Sequence, residues 1–318
     1  MPTCLTDDLS ATKNNVPPLP GYVKFLNALV VLLPFAGFIA ACIYFWGRGL
    51  DALHLTVFLV MVTTTSLGVT IGFHRLFTHK SFETYAPVRF ILGVLGSMSV
   101  EGPVIKWTTI HRHHHQHSDE EGDAHSPYHT GHEHGGTLHG LWYSHIGWLF
   151  DPDIPDLSKY SKDLLEDRVT AFVSRWFALW VFLGFAIPAA IGGLATMSWK
   201  GALLGAVWGG FARIFIVHHM TWSVNSVCHI WGSRPYRSHD ESRNNFFFGL
   251  FSWGEGWHNN HHAFPTSARH GLEWWQLDIS WIVIRAMQAM GLVWKVRLPS
   301  REMIASKVRP ERELTVAN

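Results

Sequence analysis

The stretch LDALHLTVFLVMVTTTSLGVTIGFHRLFTH, residues 50–79, holds an apolar run, Leu50–Phe73, that ends directly in two histidines, His74 and His79. About 20 helical residues cross a hydrocarbon core, so this run predicts a membrane-spanning helix with polar ligands at one end. A similar run, Val23–Trp46, precedes it, and only a Gly-Arg-Gly turn at Gly47–Gly49 separates the two. They form a helical hairpin. A second hairpin follows from Phe172–Leu194 and Gly201–Val217, joined by Ala195–Lys200, with the last helix running on to about residue 228. Arg175 and Arg213 fall inside that pair and make its limits less sharp.

Between and after the hairpins the chain changes character. Arg75–Thr170 is rich in His, Asp and Gly, and Thr221–Asn318 reads as polar with an amphipathic stretch at Ile279–Val296. Tyr85–Val100 and Leu138–Phe150 are too short or too broken to span, and are expected as interfacial or cap-packing helices. The fold class expected is an all-α integral membrane protein: four transmembrane helices (about 23–46, 50–73, 172–194 and 201–228) in two hairpins, with a cytosolic helical cap holding a two-metal site. Residues 1–20 are expected as a cytosolic tail, 21–297 as one domain and 298–318 as a cytosolic C-terminal tail. The tail at 1–20 has no basic region leading into a short apolar run, which is unlike a secretory signal.

Orientation follows from Lys and Arg in short loops. Each hairpin turn holds one basic residue, Arg48 or Lys200. The other side holds Arg75, Lys80, Arg89, Lys106 and Arg112, then Arg234, Arg237, Arg243 and Arg269. Both termini and the histidine-rich side are therefore expected in the cytosol.

Composition excludes several classes. Hydrophobic residues make up 47% of the 318 and charged residues 15%, with 16 Trp and 21 Phe, which is unlike an ordinary soluble domain. A net charge of +1 and the lack of a basic, aromatic-interleaved patch argue against nucleic acid. Cys4, Cys42 and Cys228 lack metal-ligand spacing, and the last two read as small core residues.

The 22 histidines carry the chemistry. Besides His74 and His79 there are His111-Arg-His-His-His-Gln-His117, Asn225-Ser-Val-Cys-His229 and His258-Asn-Asn-His-His262. Residues three and four apart share a helix face. His111, His114 and His115 stand at that spacing, and His258, His261 and His262 repeat it. An i, i+4 pair chelates one metal while the intervening His leans to a neighbour, so two such segments face to face hold two metals. A single tetrahedral zinc site takes four protein ligands at most. The nine candidates are His74, His79, His111, His114, His115, His229, His258, His261 and His262, which suits two metals with four or five ligands each. Imidazole alone leaves Fe, Cu, Zn and Ni open.

The remaining histidines are weighed individually. His54, His125, His129, His132, His134, His139, His145 and His270 read as surface or interface side chains. His113 and His117 have the wrong phase to join His111 and His115. His218 and His219 lie about two turns before Asn225, deep enough in an apolar helix to be candidates for lining the site.

These boxes, with Gly256-Trp-His-Asn-Asn-His-His-Ala-Phe-Pro265 and Ser118-Asp119, resemble those of the membrane fatty acyl desaturases of the delta-9, stearoyl-CoA desaturase type, over about Val23–Leu277. The resemblance implies a di-iron centre with O2 as co-substrate. It places His74, His79, His111, His115 and His261 on one iron and His114, His229, His258 and His262 on the other, with Asn225 holding a water. Trp222 matches a family contact to the acyl carrier. Thr109-Ile110 and Pro152-Asp153 stand where animal members have basic and acidic residues that serve the CoA headgroup. That departure leaves acyl-CoA and acyl-lipid both open as substrate. No heme motif follows the boxes, so a separate electron donor is expected, a ferredoxin, cytochrome b5 or flavoprotein reductase.

The reaction so implied removes two hydrogens from adjacent methylenes and leaves a double bond, expected to be cis and at delta-9. Trp107, Trp142, Trp222, Trp253 and Trp257 are expected near an acyl tunnel or as ordinary core aromatics, and Asp119, Asp123 and Glu255 as carboxylates behind the ligands. Two rivals share some of these features. A histidine-box lipid or alkane hydroxylase differs in whether oxygen rebounds before the second hydrogen leaves. A metal transporter needs its ligands at mid-membrane depth, whereas these cluster at helix ends.

Overall fold

The computed structural model describes residues 18–45, 51–128, 138–151 and 155–310. The Gly47–Gly49 turn, Cys4, His129, His132, His134, Pro152-Asp153, residues 1–17 of the first expected tail and 311–318 of the second lie outside the described residues. The described chain is mostly helical. Its one sheet is a pair of two-residue strands, Glu83–Thr84 antiparallel to Val293–Trp294.

Four helices are long and apolar enough to cross a membrane: Gly21–Tyr44, Ala52–Thr78, Phe177–Thr196 and Trp199–His229. They bear out the four expected spans and shift their limits. The second span runs to Thr78, five residues beyond the expected end, so His74 sits inside its last turns. The third begins at Phe177, because Phe172 and Arg175 belong to a separate helix, Arg168–Arg175, started by Asp167 accepting the Val169 N–H. Arg175 therefore stands outside the span. Arg213 stays inside the fourth, fully buried, and donates to the carbonyls of Gly209, Gly184 and Met98. Three helix backbones are tied by one guanidinium.

Ala86–Met98 and Leu138–His145 do not span, as expected. Ala86–Met98 lies against the second and third spans, where Gly68 and Gly96 meet backbone to backbone with no room for a Cβ on either. The main core gathers Ile71, Phe73 and Phe77 of the second span with Leu92, Val104, Trp107 and Ile284. Cys228 is buried, but Cys42 is exposed on the outside of the first span, contrary to the core reading.

One local feature decides the site. Gly68–Thr78 is an eleven-residue π-helix continuing Ala52–Leu67. Its i→i+5 hydrogen bonds, ending with the His79 N–H on the His74 carbonyl at 3.1 Å, put residues five apart on one face. Single-turn π segments often mark functional sites, and here the widened turn sets the His74 and His79 ring centroids 4.8 Å apart.

Candidate metal centre

Four helical pieces carry the histidines to one place: the end of the second span, Val104–Gln116, the end of the fourth span and the short helix His258–Ala263. Their ring nitrogens form two groups, each with all its nitrogens within 4.8 Å of one another. One is His74, His79, His111, His115 and His261; the other is His114, His229, His258 and His262. All nine candidates are brought together, and the division matches the one the resemblance implied. The i, i+4 pair His111/His115 goes to one group, the pair His258/His262 to the other, and His114 and His261 cross over.

The inward nitrogens are close. Nε2 of His261 is 3.0 Å from that of His74 and 2.9 Å from that of His115, which is 3.2 Å from that of His111. In the second group, His229 Nε2 and His258 Nε2 are 3.1 Å apart. Four rings have their other nitrogen committed. His74 Nδ1 is 2.6 Å from Glu255, His114 Nδ1 2.8 Å from Asp123, His229 Nδ1 3.0 Å from Asp119 and His262 Nδ1 2.5 Å from Asp240. An Nδ1–H donating to a carboxylate leaves Nε2 as a lone pair aimed inward. Nε2 of His79, His114 and His262 is enclosed and has no hydrogen-bond partner. Lone pairs converging without protons between them are what a cation needs, so the residues fit a metal at each group.

Electrostatics agree. Burial and neighbouring imidazoles hold His111, His115, His258 and His261 well below the usual histidine range, hence neutral. Burial alone would raise the Asp119 carboxyl, but His229, Ser126 and the Glu241 N–H bring it below its usual range. Asp123, Asp240 and Glu255 are likewise lowered despite burial, which alone would raise them, by His114, by His262, and by Arg75 with His74, respectively. Four buried carboxylates stand behind the nine imidazoles and would offset part of the charge of a cation held at each group.

Asp119, Asp123 and Glu255 are where the sequence pointed. Asp240 was missed. It lies in an irregular loop, held by the Ser242 N–H at 3.1 Å, and no spacing links it to His262. Replacing Asp240 by Asn should weaken metal at the second group by about 10–100-fold and leave the first group unchanged. A chelator-competition titration would show two separated phases; a single unshifted phase would rule the assignment out.

A narrow, mostly apolar cleft reaches both groups. Ser66, Val69 and Thr70 of the second span, Met220 and Val224 of the fourth, and Trp107 and Trp253 line it, and His74, His111, His258 and Asn225 close its end. Asn225 thus faces the cleft beside both groups. Trp222 does not line it: the ring stacks on His218 at 4.6 Å, one residue from the lining Thr221. Trp142 is exposed and Trp257 is buried beneath Gly249, so neither forms a tunnel wall. Glu101 was not singled out. Burial pushes its carboxyl up to about 8, against hydrogen bonding from Thr221, Trp222 and Trp107, which places a neutral acid beside the cleft.

His218 and His219 stay outside both groups. His218 Nε2 lies 2.9 Å from the Ser99 carbonyl, and His219 pairs with His145 at 2.9 Å. His113 and His117 pack on each other, away from the groups. Three of the histidines expected as surface or interface side chains are buried. His54 sits between Asp51 and the Gly201 carbonyl, His125 against Trp148, and His270 between Glu255 and Arg75. Each was read singly, and each is enclosed by a partner distant in sequence or by local burial that sequence spacing does not reveal. Thr109 and Ile110 are buried too, Thr109 Oγ1 donating to Ser161 Oγ at 2.8 Å.

The family model for fatty acid desaturase matches residues 51–296. An sn-1 stearoyl-lipid 9-desaturase of Anabaena variabilis is 40% identical over 241 residues, covering 75% of this chain and 82% of its own. A hex-5-enoyl-[acyl-carrier protein] acetylenase of Moorena producens is 38% identical over 292 residues, 90% and 91% of the two chains. An icosanoyl-CoA 5-desaturase of Limnanthes douglasii is 37% identical over 281 residues, 86% and 70% of the two. A match over most of the length, joined to a four-span helical fold and two convergent histidine groups, has one meaning: the chain belongs to the fatty acid desaturase family.

Proposed function

We propose that this chain is an O2-dependent di-iron desaturase that introduces a cis double bond, at delta-9, into a saturated acyl chain. The observation that carries the reading is the apolar cleft ending on both histidine groups at once. His74, His79, His111, His115 and His261 would hold one iron, and His114, His229, His258 and His262 the other. Iron bound there supplies the O2-activating redox chemistry. The chain's own residues do the rest. Ser66, Val69, Thr70 and Val224 hold an acyl chain against the cleft wall, and Trp107 and Trp253 exclude water from its end. Glu255, Asp119, Asp123 and Asp240 fix the tautomers and keep the imidazoles aimed inward.

A lipid-esterified chain is the preferred substrate. The stearoyl-lipid relative supports this, as does the burial of Thr109-Ile110 in the region where animal members hold a CoA headgroup. The donor is a separate protein, a ferredoxin, cytochrome b5 or flavoprotein reductase. His79 and His115 are only half-buried and face a polar hollow with Arg112, Gln116 and Lys159, which gives electrons an approach away from the acyl cleft. Basic residues on the histidine-rich side favour a cytosolic site and cytosolic termini.

The test is direct. Purified protein with about two irons per chain and a working reductant is offered a stearoyl phospholipid and stearoyl-CoA side by side, and products are read by mass spectrometry with double-bond location. A hydroxylated product, or full activity with one metal, would defeat the reading. Asn225→Leu should keep the fold and most of the metal but lose about 10–100-fold in turnover, since it removes a polar group facing the cleft and no imidazole. Unchanged turnover would remove Asn225 from the site.

A further inference from the structure

The ten residues Asn245–Gly254 carry no charge and contain the helix Phe246–Phe251. The sequence reading placed them in a polar region, yet Phe246 is 64% exposed, Phe247 59% and Phe251 49%, with Trp275 beside them at 48%. Phe246 and Trp275 have ring centroids 6.4 Å apart and Phe247 and Phe251 4.7 Å, two pairs that adjacent Phe246 and Phe247 join on one short helix into a strip. A contiguous apolar strip of this kind marks a surface with a partner.

Its depth says which partner. Ser280 Oγ is 2.8 Å from Thr70 Oγ1, and the Ser280 N–H donates to the Trp253 carbonyl at 3.1 Å. Trp257 Nε1 donates to the Leu277 carbonyl at 2.8 Å. These bonds fasten the strip's supports beside Thr70, eight residues before the second span ends at Thr78. In the widened π-helical segment that is about two turns below the end of the span. The Phe246–Phe251 helix also packs on the Arg213–Ser226 part of the fourth span. The strip therefore continues the lipid-facing surface of the two spans sideways, and Ser252 and Trp253, next in the chain, line the acyl cleft.

We propose that the Phe246–Phe251 helix and Trp275 are immersed in lipid beside the second and fourth spans, and that acyl chains enter the cleft laterally from the bilayer beneath this helix as parts of membrane lipids. Lipid is the occupant that an uncharged aromatic strip at this depth requires, because water there would wet four large apolar rings and a soluble partner cannot reach it. The entry route rests on the desaturase reading; the immersion does not.

Two measurements on the full chain in nanodiscs test it. In a chain carrying Cys4→Ser and Cys42→Ser, with buried Cys228 left in place, a nitroxide is attached at Phe247→Cys. Its collisions with dissolved oxygen should exceed those with an aqueous nickel chelate, as they should for a control label at Leu59→Cys on the lipid side of the second span. A preference for the nickel chelate overturns immersion, and so does spin–spin broadening, which would put a second copy on the strip. For entry, Phe247→Ser/Phe251→Ser should lower kcat/KM for a stearoyl phospholipid by about tenfold with metal content unchanged. Unchanged turnover, or loss of the metals together with activity, overturns lateral entry. No acyl product from the unsubstituted enzyme would defeat the desaturase reading instead and leave the label result standing.

Discussion

Replacing His115 with alanine is expected to lower turnover by more than about 100-fold and to remove about one of the two metals per chain, whereas His113→Ala, on the same helix, keeps both within about twofold. His115 is where the groups abut. Its Nε2 lies 2.9 Å from that of His261 and 3.2 Å from that of His111, and its ring stacks at 4.4 Å on His262 of the other group. The alanine leaves four imidazoles in the first group and opens the wall between that group and the hollow at His79 and Arg112. His113 is two residues away, so its side chain leaves the helix on another face and meets the rings of Tyr160 at 5.3 Å and His117 at 4.8 Å. Metal analysis and steady-state rates on both variants, each checked for an intact fold, separate the two faces. Equal losses would mean that the spacing argument for Val104–Gln116 is wrong.

Much of this arrangement is legible in the sequence because two periodicities are strong. Apolar runs of spanning length locate the four helices, and the i, i+3, i+4 triplets locate the faces of His111–His115 and His258–His262. Where periodicity is silent, reading fails in specific ways. Nothing in the spacing of His74 and His79 says that they converge on an α-helix; the π-helix at Gly68–Thr78 achieves it, and its hydrogen-bond shift leaves no residue pattern that was recognised. Asp240 reaches His262 through a loop, so the contact exists only in three dimensions. Phe246–Phe251 is six residues long, too short to register beside the charged and polar residues around it. His270 looks like any isolated surface histidine until Glu255 and Arg75 close over it.

The same closure makes Arg75 the residue whose loss should harm stability most. Its side chain is fully buried at the end of the second span. The guanidinium lies 3.2 Å from Glu255 Oε1 and 3.1 Å from Asp278 Oδ1, and its Nε donates to His270 Nε2 at 3.3 Å. Both carboxylates have second tasks. Glu255 accepts from His74 Nδ1, and Asp278 accepts the backbone N–H groups of His270 at 2.7 Å and Trp281 at 2.8 Å. Arg75→Met matches the stem but leaves two enclosed carboxylates with no cation. Removing one partner of a buried ion pair costs about 3–5 kcal/mol, most of it from the charge left behind. Asp278 keeps its backbone donors, so the larger share of that cost falls on Glu255 and through it on the orientation of His74. Arg75→Met should therefore lower the thermal midpoint of the detergent-solubilised protein and reduce metal at the first group more than at the second. Arg75→Lys keeps the charge near both carboxylates, which a single nitrogen, Nη2, reaches, but loses the Nε–H bond to His270, so it should recover only part. Adding Glu255→Gln to Arg75→Met should restore stability relative to Arg75→Met alone, because the uncompensated charge goes, while metal at the first group stays low. A thermal midpoint for Arg75→Met equal to that of the unsubstituted chain would show that the triad is wetter than its burial implies.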